Sequence, residues 1–124
     1  MNKRVFAGIA SLGALLVLPA CNRSPESVVR LQGTVKSIGY DRPVKAADVV
    51  VEWPRELGGG TSTLKTDADG HYAIGRTVHA RTFSCKGIVI TVRAAGFASA
   101  YSQSDDECVD SRLTADFRIF PTPR

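Results

Sequence analysis

The sequence predicts an all-β protein, a seven-stranded antiparallel β-sandwich that follows an N-terminal signal peptide. Three observations carry the prediction. Apolar residues recur at every second position in several short runs, the period of a half-buried strand. The runs lie about ten residues apart, with Gly, Pro and Asp between them. No stretch beyond residue 28 keeps a helical i, i+3, i+4 pattern over three turns.

Composition agrees with one small globular unit. The chain has 124 residues, 44% of them hydrophobic, with 16 Lys and Arg against 12 Asp and Glu. Lys3 and Arg4 account for part of the basic excess, and without them the balance is 14 to 12. No three basic residues stand in a row, so the clustered basic face of a nucleic-acid binder is not expected.

The first element is an address. Met1 to Arg4 is a short cationic region, and Val5 to Leu18 is an uncharged apolar run rich in Ala, Leu and Gly. Its 14 residues would span about 21 Å as a helix, short of the roughly 30 Å hydrocarbon core, so a signal peptide fits better than a membrane-spanning anchor. The run ends in Leu18-Pro19-Ala20-Cys21, which resembles the lipobox of bacterial lipoproteins. In that family the cysteine thiol takes a diacylglyceryl group before cleavage, which implies lipidation at Cys21. An ordinary secretory signal, cut near Ala20 and leaving Cys21 as a free thiol, is the alternative. Acyl chains buried at about 0.8 kcal/mol per methylene would make attachment to a membrane lasting. By resemblance to the sorting rule of enteric bacteria, Asn22 after the cysteine implies the outer membrane.

The elements then follow in order. Asn22 to Ser27 is polar and holds Pro25, which suits a tether. Val29, Leu31, Gly33 and Val35 alternate with polar residues and make the first strand, which Asp41-Arg42-Pro43 closes. Val49, Val51 and Trp53 make the second, ended by Pro54. Gly58 to Gly60 forms a flexible connection, and Thr61 to Thr66 is rich in β-branched residues. Asp67-Ala68-Asp69-Gly70 is a turn before a short strand from Tyr72 to Ile74. Ile88, Ile90, Val92 and Ala94 alternate, Ala95-Gly96 turns, and Phe97 to Ser102 follows as a strand. Ser104 to Ser111 is an acidic loop, and Ala115, Phe117 and Ile119 make the last strand before Pro121. The chain therefore divides into a signal peptide over 1–20, a lipidated tether over 21–28 and a sandwich over 29–124.

Four segments in order resemble the carboxypeptidase regulatory-like domain: Leu31-Gln-Gly-Thr-Val35, Arg42-Pro-Val-Lys-Ala-Ala-Asp-Val-Val-Val51, Thr66-Asp-Ala-Asp-Gly-His-Tyr72 and Ile90-Thr-Val-Arg-Ala-Ala-Gly-Phe97. The match covers about residues 30–102. It implies a transthyretin-like, seven-stranded sandwich. The residues of the third segment read as a folding element. Gly70 suits a turn position of positive φ, Asp67 can accept backbone N–H bonds, Asp69 belongs to the same turn, and Tyr72 would bury its ring with its hydroxyl near the rim.

Cys85 and Cys108 are an even pair in an exported chain, so a disulfide is the default, with two buried thiols as the alternative. Neither belongs to a CxxC or Cys/His cluster of the zinc type. With Gly70 at position six of an EF-hand loop, Lys65 and Arg76 would fall at positions one and twelve, where carboxylates are required. A looser surface calcium site stays open. His71 and His79 lack a second ligand at helical or hairpin spacing, and neither GxSxG nor a phosphate-cradling loop occurs. The Tyr-Arg-Gly-Ser tail of the purine-breakdown hydrolase that shares the transthyretin fold is absent. Trp53, the lone tryptophan, reads as core, and a sugar-stacking role would require it to be exposed beside other aromatics.

The sequence thus leads to the expectation of a membrane-anchored periplasmic or surface lipoprotein, a non-catalytic interaction or structural module without a cofactor. Carbohydrate or peptidoglycan binding and a secretion-system accessory role are the alternatives. Its expected partners are the membrane, through the lipid, and an envelope protein or glycan.

Overall fold

The computed structural model describes residues 26–123, so the leader and Cys21 lie outside the described residues. Strands pair into two four-stranded sheets. The first contains β1 (Ser27–Ser37), β4 (His71–Val78), β7 (Arg112–Thr114) and β8 (Phe117–Ile119). The second runs in the order β3 (Thr61–Lys65), β2 (Asp48–Glu52), β5 (Val89–Arg93) and β6 (Ala100–Gln103). The chain is an all-β sandwich, as its period-two patterning predicts. Among the described residues no helix is long and apolar enough to cross a membrane.

The alternation decides which side chains meet between the sheets. Val29, Leu31 and Val35 of β1, Val49 and Val51 of β2 and Val92 of β5 are fully buried, with Ile90 of β5 and Ile119 of β8 close to it. Each buried aliphatic side chain contributes about 1.5–3 kcal/mol of transfer free energy, which offsets the ordering of the chain around it. Trp53 continues the inward register of β2 and is only 5% exposed.

Two features differ from the seven-stranded antiparallel expectation. A short strand that the sequence reading did not assign, β7, precedes the last predicted one, β8, so the described residues hold eight strands, and both pair with β1 in parallel. The break between β7 and β8 has a visible cause. β7 pairs with Arg30 to Gln32, and the Ala115 amide still donates to the Gln32 carbonyl at 2.9 Å. At the next rung the Asp116 side chain, not a backbone carbonyl, accepts the Thr34 amide at 2.9 Å, and β8 resumes against Val35 to Ser37. The pairing is parallel because the chain re-enters this sheet from the Cys108 loop, at the end where β1 begins. The Arg30 amide donates there to the Ser111 carbonyl at 2.8 Å.

Turns behave as their residues require. Gly70 has φ +77°, and a Cβ there would lie 2.6 Å from the Val35 carbonyl oxygen. The Thr66 hydroxyl donates to the Val44 carbonyl at 2.6 Å and accepts the Ala47 amide at 2.9 Å, tying the Val44–Ala47 turn to the end of β3. Gly58 to Gly60 closes a 3₁₀ turn over Arg55–Leu57, and the Gly59 carbonyl accepts from the Arg76 guanidinium.

Candidate functional site

The turn between β3 and β4 gathers the titratable groups. Asp67 Oδ1 accepts the Asp69 and His71 amides, each at 2.9 Å, and the Gly70 amide donates to the Asp67 carbonyl at 3.0 Å. The His71 amide, with Asp69 adding to it, holds the Asp67 carboxyl below its ordinary range despite some desolvation. Ligand atoms of Asp67, Asp69 and His71 all lie within 4.8 Å of one another, and all three residues are exposed.

His71 opens β4 opposite Thr34 of β1. Thr34 donates to Asp116 Oδ1 from both its amide, at 2.9 Å, and its hydroxyl, at 3.1 Å. The outer face of the first sheet therefore carries an imidazole on β4, a hydroxyl on β1 and a carboxylate at the β7–β8 junction. With Gln32, Ala73 and Thr114 they line an opening of about 360 Å³. Tyr72, next along β4, points the other way and is 4% exposed. Its hydroxyl donates to the Ala115 carbonyl. Burial, and then the Asp116 charge, raise its pKa well above the ordinary 10.0, so the phenol stays protonated at neutral pH.

The remaining predicted residues are scattered. Cys85 and Cys108 are joined in a disulfide with their Cα atoms 4.9 Å apart, which ties the approach to β5 to the acidic loop. His79 lies at the far end of β4, with Nδ1 3.5 Å from Glu26 Oε2. Trp53 donates from its indole nitrogen to Ser62 Oγ at 3.0 Å, beneath the Arg76 guanidinium carbon at 5.1 Å from the ring. A buried, covered ring cannot stack on a sugar. Sequence reasoning missed Thr34 and Asp116, which are separated by 82 residues. Their one local signal was the polar Asp116 between apolar neighbours, which read as ordinary strand alternation.

No protein-family model and no curated protein matches the chain. Solved structures do. A chlorocatechol 1,2-dioxygenase from Pseudomonas putida aligns at TM-score 0.58 and 18% identity, over 80% of this chain and 62% of that one. The 3-chlorocatechol 1,2-dioxygenase of Rhodococcus opacus 1CP aligns at 0.59 and 8% identity, over 82% and 62%. The dioxygenase domain of a dioxygenase–carbohydrate-binding fusion from Streptomyces sp. SirexAA-E aligns at 0.57 and 12%, over 82% and 84%. The chain thus spans about three fifths of the length of the two chlorocatechol enzymes.

These neighbours correct the functional expectation. The non-catalytic interaction or structural module read from the sequence, with its glycan-binding and secretion-accessory alternatives and its exclusion of enzymatic activity, does not stand. That reading rested on missing hydrolase, phosphate-loop and zinc motifs, none of which bears on oxygen chemistry. The three aligned structures that share the architecture are dioxygenases or a dioxygenase domain. At 8 to 18% identity the likeness is one of fold, and in fold this chain is similar to the β-sandwich of dioxygenases.

Proposed function

We propose that the chain is a lipid-anchored protein of the bacterial cell envelope carrying a dioxygenase-related β-sandwich. The observation that carries the anchor is the agreement between two distant parts of the chain. The leader ends in Leu18-Pro19-Ala20-Cys21, and the domain holds a Cys85–Cys108 disulfide, a bond that persists in oxidising compartments. Asn22 supports the outer membrane, with the domain facing the periplasm. The finer kinship with carboxypeptidase regulatory-like, transthyretin-like domains belongs to the same proposal. Its support is that the matching segments fall on β1, β2, the β3–β4 turn and β5.

Oxygen chemistry on a catechol calls for an oxygen-activating group, commonly a metal with open coordination positions. Asp67, Asp69 and His71 offer one imidazole and two carboxylates in an exposed turn, and one Asp67 oxygen already holds two amides. That set fits a hydrated divalent cation. It does not fit an enclosed centre that excludes water around a bound diol, and the protonated Tyr72 phenol supplies no phenolate.

Fractionation tests the anchor. Cys21→Ser should leave an unprocessed precursor or release the protein from the membrane fraction, and unchanged mass with unchanged membrane association would overturn it. Oxygen uptake with catechol or 3-chlorocatechol and added iron tests how far the kinship reaches. Uptake abolished by His71→Ala would place activity at the turn, whereas no uptake would confine the kinship to architecture.

A further inference from the structure

The sandwich is open between its sheets at the end away from Ser27, where β1 finishes. An opening of about 430 Å³ lies there, lined by Ser37, Arg42, Pro43, Val44, Lys45 and Phe97, among others. That volume is within the range of small-molecule sites. Three observations make it more than a gap between loops.

Its charge is one-sided. No carboxylate lines the opening, and among the described residues neither Arg42 nor Lys45 is in an ion pair. The neighbouring Asp41 carboxylate is engaged by Arg118 at 2.7 Å and is not available to neutralise them. Arg42 is also held in place, with its guanidinium carbon 5.5 Å from the Tyr40 ring centre. Stacking on a ring leaves the in-plane N–H donors of a guanidinium free to bind an anion.

Its interior holds a polar group without a partner. Ser37 is 8% exposed, and its hydroxyl makes no hydrogen bond among the described residues, although its backbone amide donates to the Arg42 carbonyl at 2.8 Å. A buried hydroxyl left unpaired costs free energy that a bound acceptor would recover. The walls are apolar, formed by Phe97, Val44 and Pro43 with Ala94 beside them.

We infer that this opening binds a small organic carboxylate, with the acid group between Arg42 and Lys45, an apolar or aromatic body against Phe97, Val44 and Pro43, and a polar substituent toward Ser37. Guanidinium and ammonium groups at the mouth would capture the charge, and the apolar walls would select against bare inorganic anions.

Benzoate is the probe, followed by amide chemical shifts of the isotopically labelled protein. Saturable shifts at Ser37, Lys45, Ala94 and Phe97 are expected, with benzyl alcohol, acetate and inorganic phosphate each binding at least about tenfold more weakly. Arg42→Gln with Lys45→Gln should weaken benzoate about tenfold without moving the melting temperature, because both side chains are exposed. Ser37→Ala should remove any preference for 4-hydroxybenzoate over benzoate. Benzyl alcohol binding as tightly as benzoate, phosphate binding as tightly as benzoate, affinity untouched by the double variant, or shifts confined to another surface would each overturn the assignment.

Discussion

The Tyr72 hydroxyl donates to the Ala115 carbonyl at 2.5 Å, across a space that exists because residue 33 has no side chain. A Cβ built on Gly33 would lie 1.8 Å from the Ala115 oxygen and 2.7 Å from the Tyr72 hydroxyl. Backbone, not a flexible side chain, occupies the place. Gly33→Ala should therefore push β1 from the β7–β8 junction and destabilise the domain by about 3 kcal/mol or more. Tyr72→Phe, which removes one hydrogen bond and leaves a carbonyl unpaired, should cost about 1–2 kcal/mol. Urea unfolding of the two variants measures both, and Gly33→Ala no worse than Tyr72→Phe would contradict the steric account.

The same tyrosine sets an alkaline limit. Its folded pKa is raised above the unfolded value near 10.0, so folding favours the protonated phenol. The stability it contributes is complete below pH 10 and is lost as pH rises from there toward the folded pKa. Wild-type melting temperature should fall more steeply above pH 10 than that of Tyr72→Phe. Absorbance at alkaline pH should show the Tyr72 phenol ionising above the ordinary tyrosine range, a late step that Tyr72→Phe removes.

The disulfide joins residues 23 apart in sequence and holds down the polar Ser104–Ser111 loop, which has little apolar content of its own. In the chain-entropy account a loop of this size is worth about 3 kcal/mol, a large share of the stability of a small domain. Reduction, or Cys85→Ala with Cys108→Ala, should lower the melting temperature by more than about 10 °C. Calorimetry with and without reductant decides it, and equal melting temperatures would count against the pairing as a stabiliser.

Ala46 sits at φ +59°, a left-handed conformation in which a Cβ is strained, and its side chain is exposed. Ala46→Gly should stabilise the protein by about 0.5–1 kcal/mol, against the usual direction of Ala to Gly changes. Thermal unfolding of that single variant is a sufficient test, and a lower melting temperature would sink the prediction.

Strand identity was legible where one face is buried. Val29, Leu31 and Val35, or Val49, Val51 and Trp53, announce their inward register through the period of two, and Trp53 follows that register into the core. The pairing of Cys85 with Cys108 followed from parity and compartment. What escaped were relationships that no local pattern encodes. Thr34 and Asp116 meet because a side chain stands in for a missing backbone acceptor, and the parallel pairing of β1 with β7 and β8 depends on where a loop delivers the chain. The turn acids were noticed, but their neighbours on the adjoining strands were not, because cross-strand proximity needs the register. The kinship in fold with dioxygenases left no motif to find, since architecture survives at identities where residues do not.

β1 is hydrogen-bonded along both of its edges, to β4 on one side and to β7 and β8 on the other. The chain leading from Cys21 enters it at Ser27, at one end of its 11 residues. Ladder hydrogen bonds run across the strands, so a pull delivered along β1 loads them sideways and together, not one after another as in unzipping. A domain held by its N-terminal segment and dragged by its surroundings would thus meet the load with its most heavily bonded strand. Mechanical toughness, set by geometry and separate from thermodynamic stability, would follow from the proposed anchor.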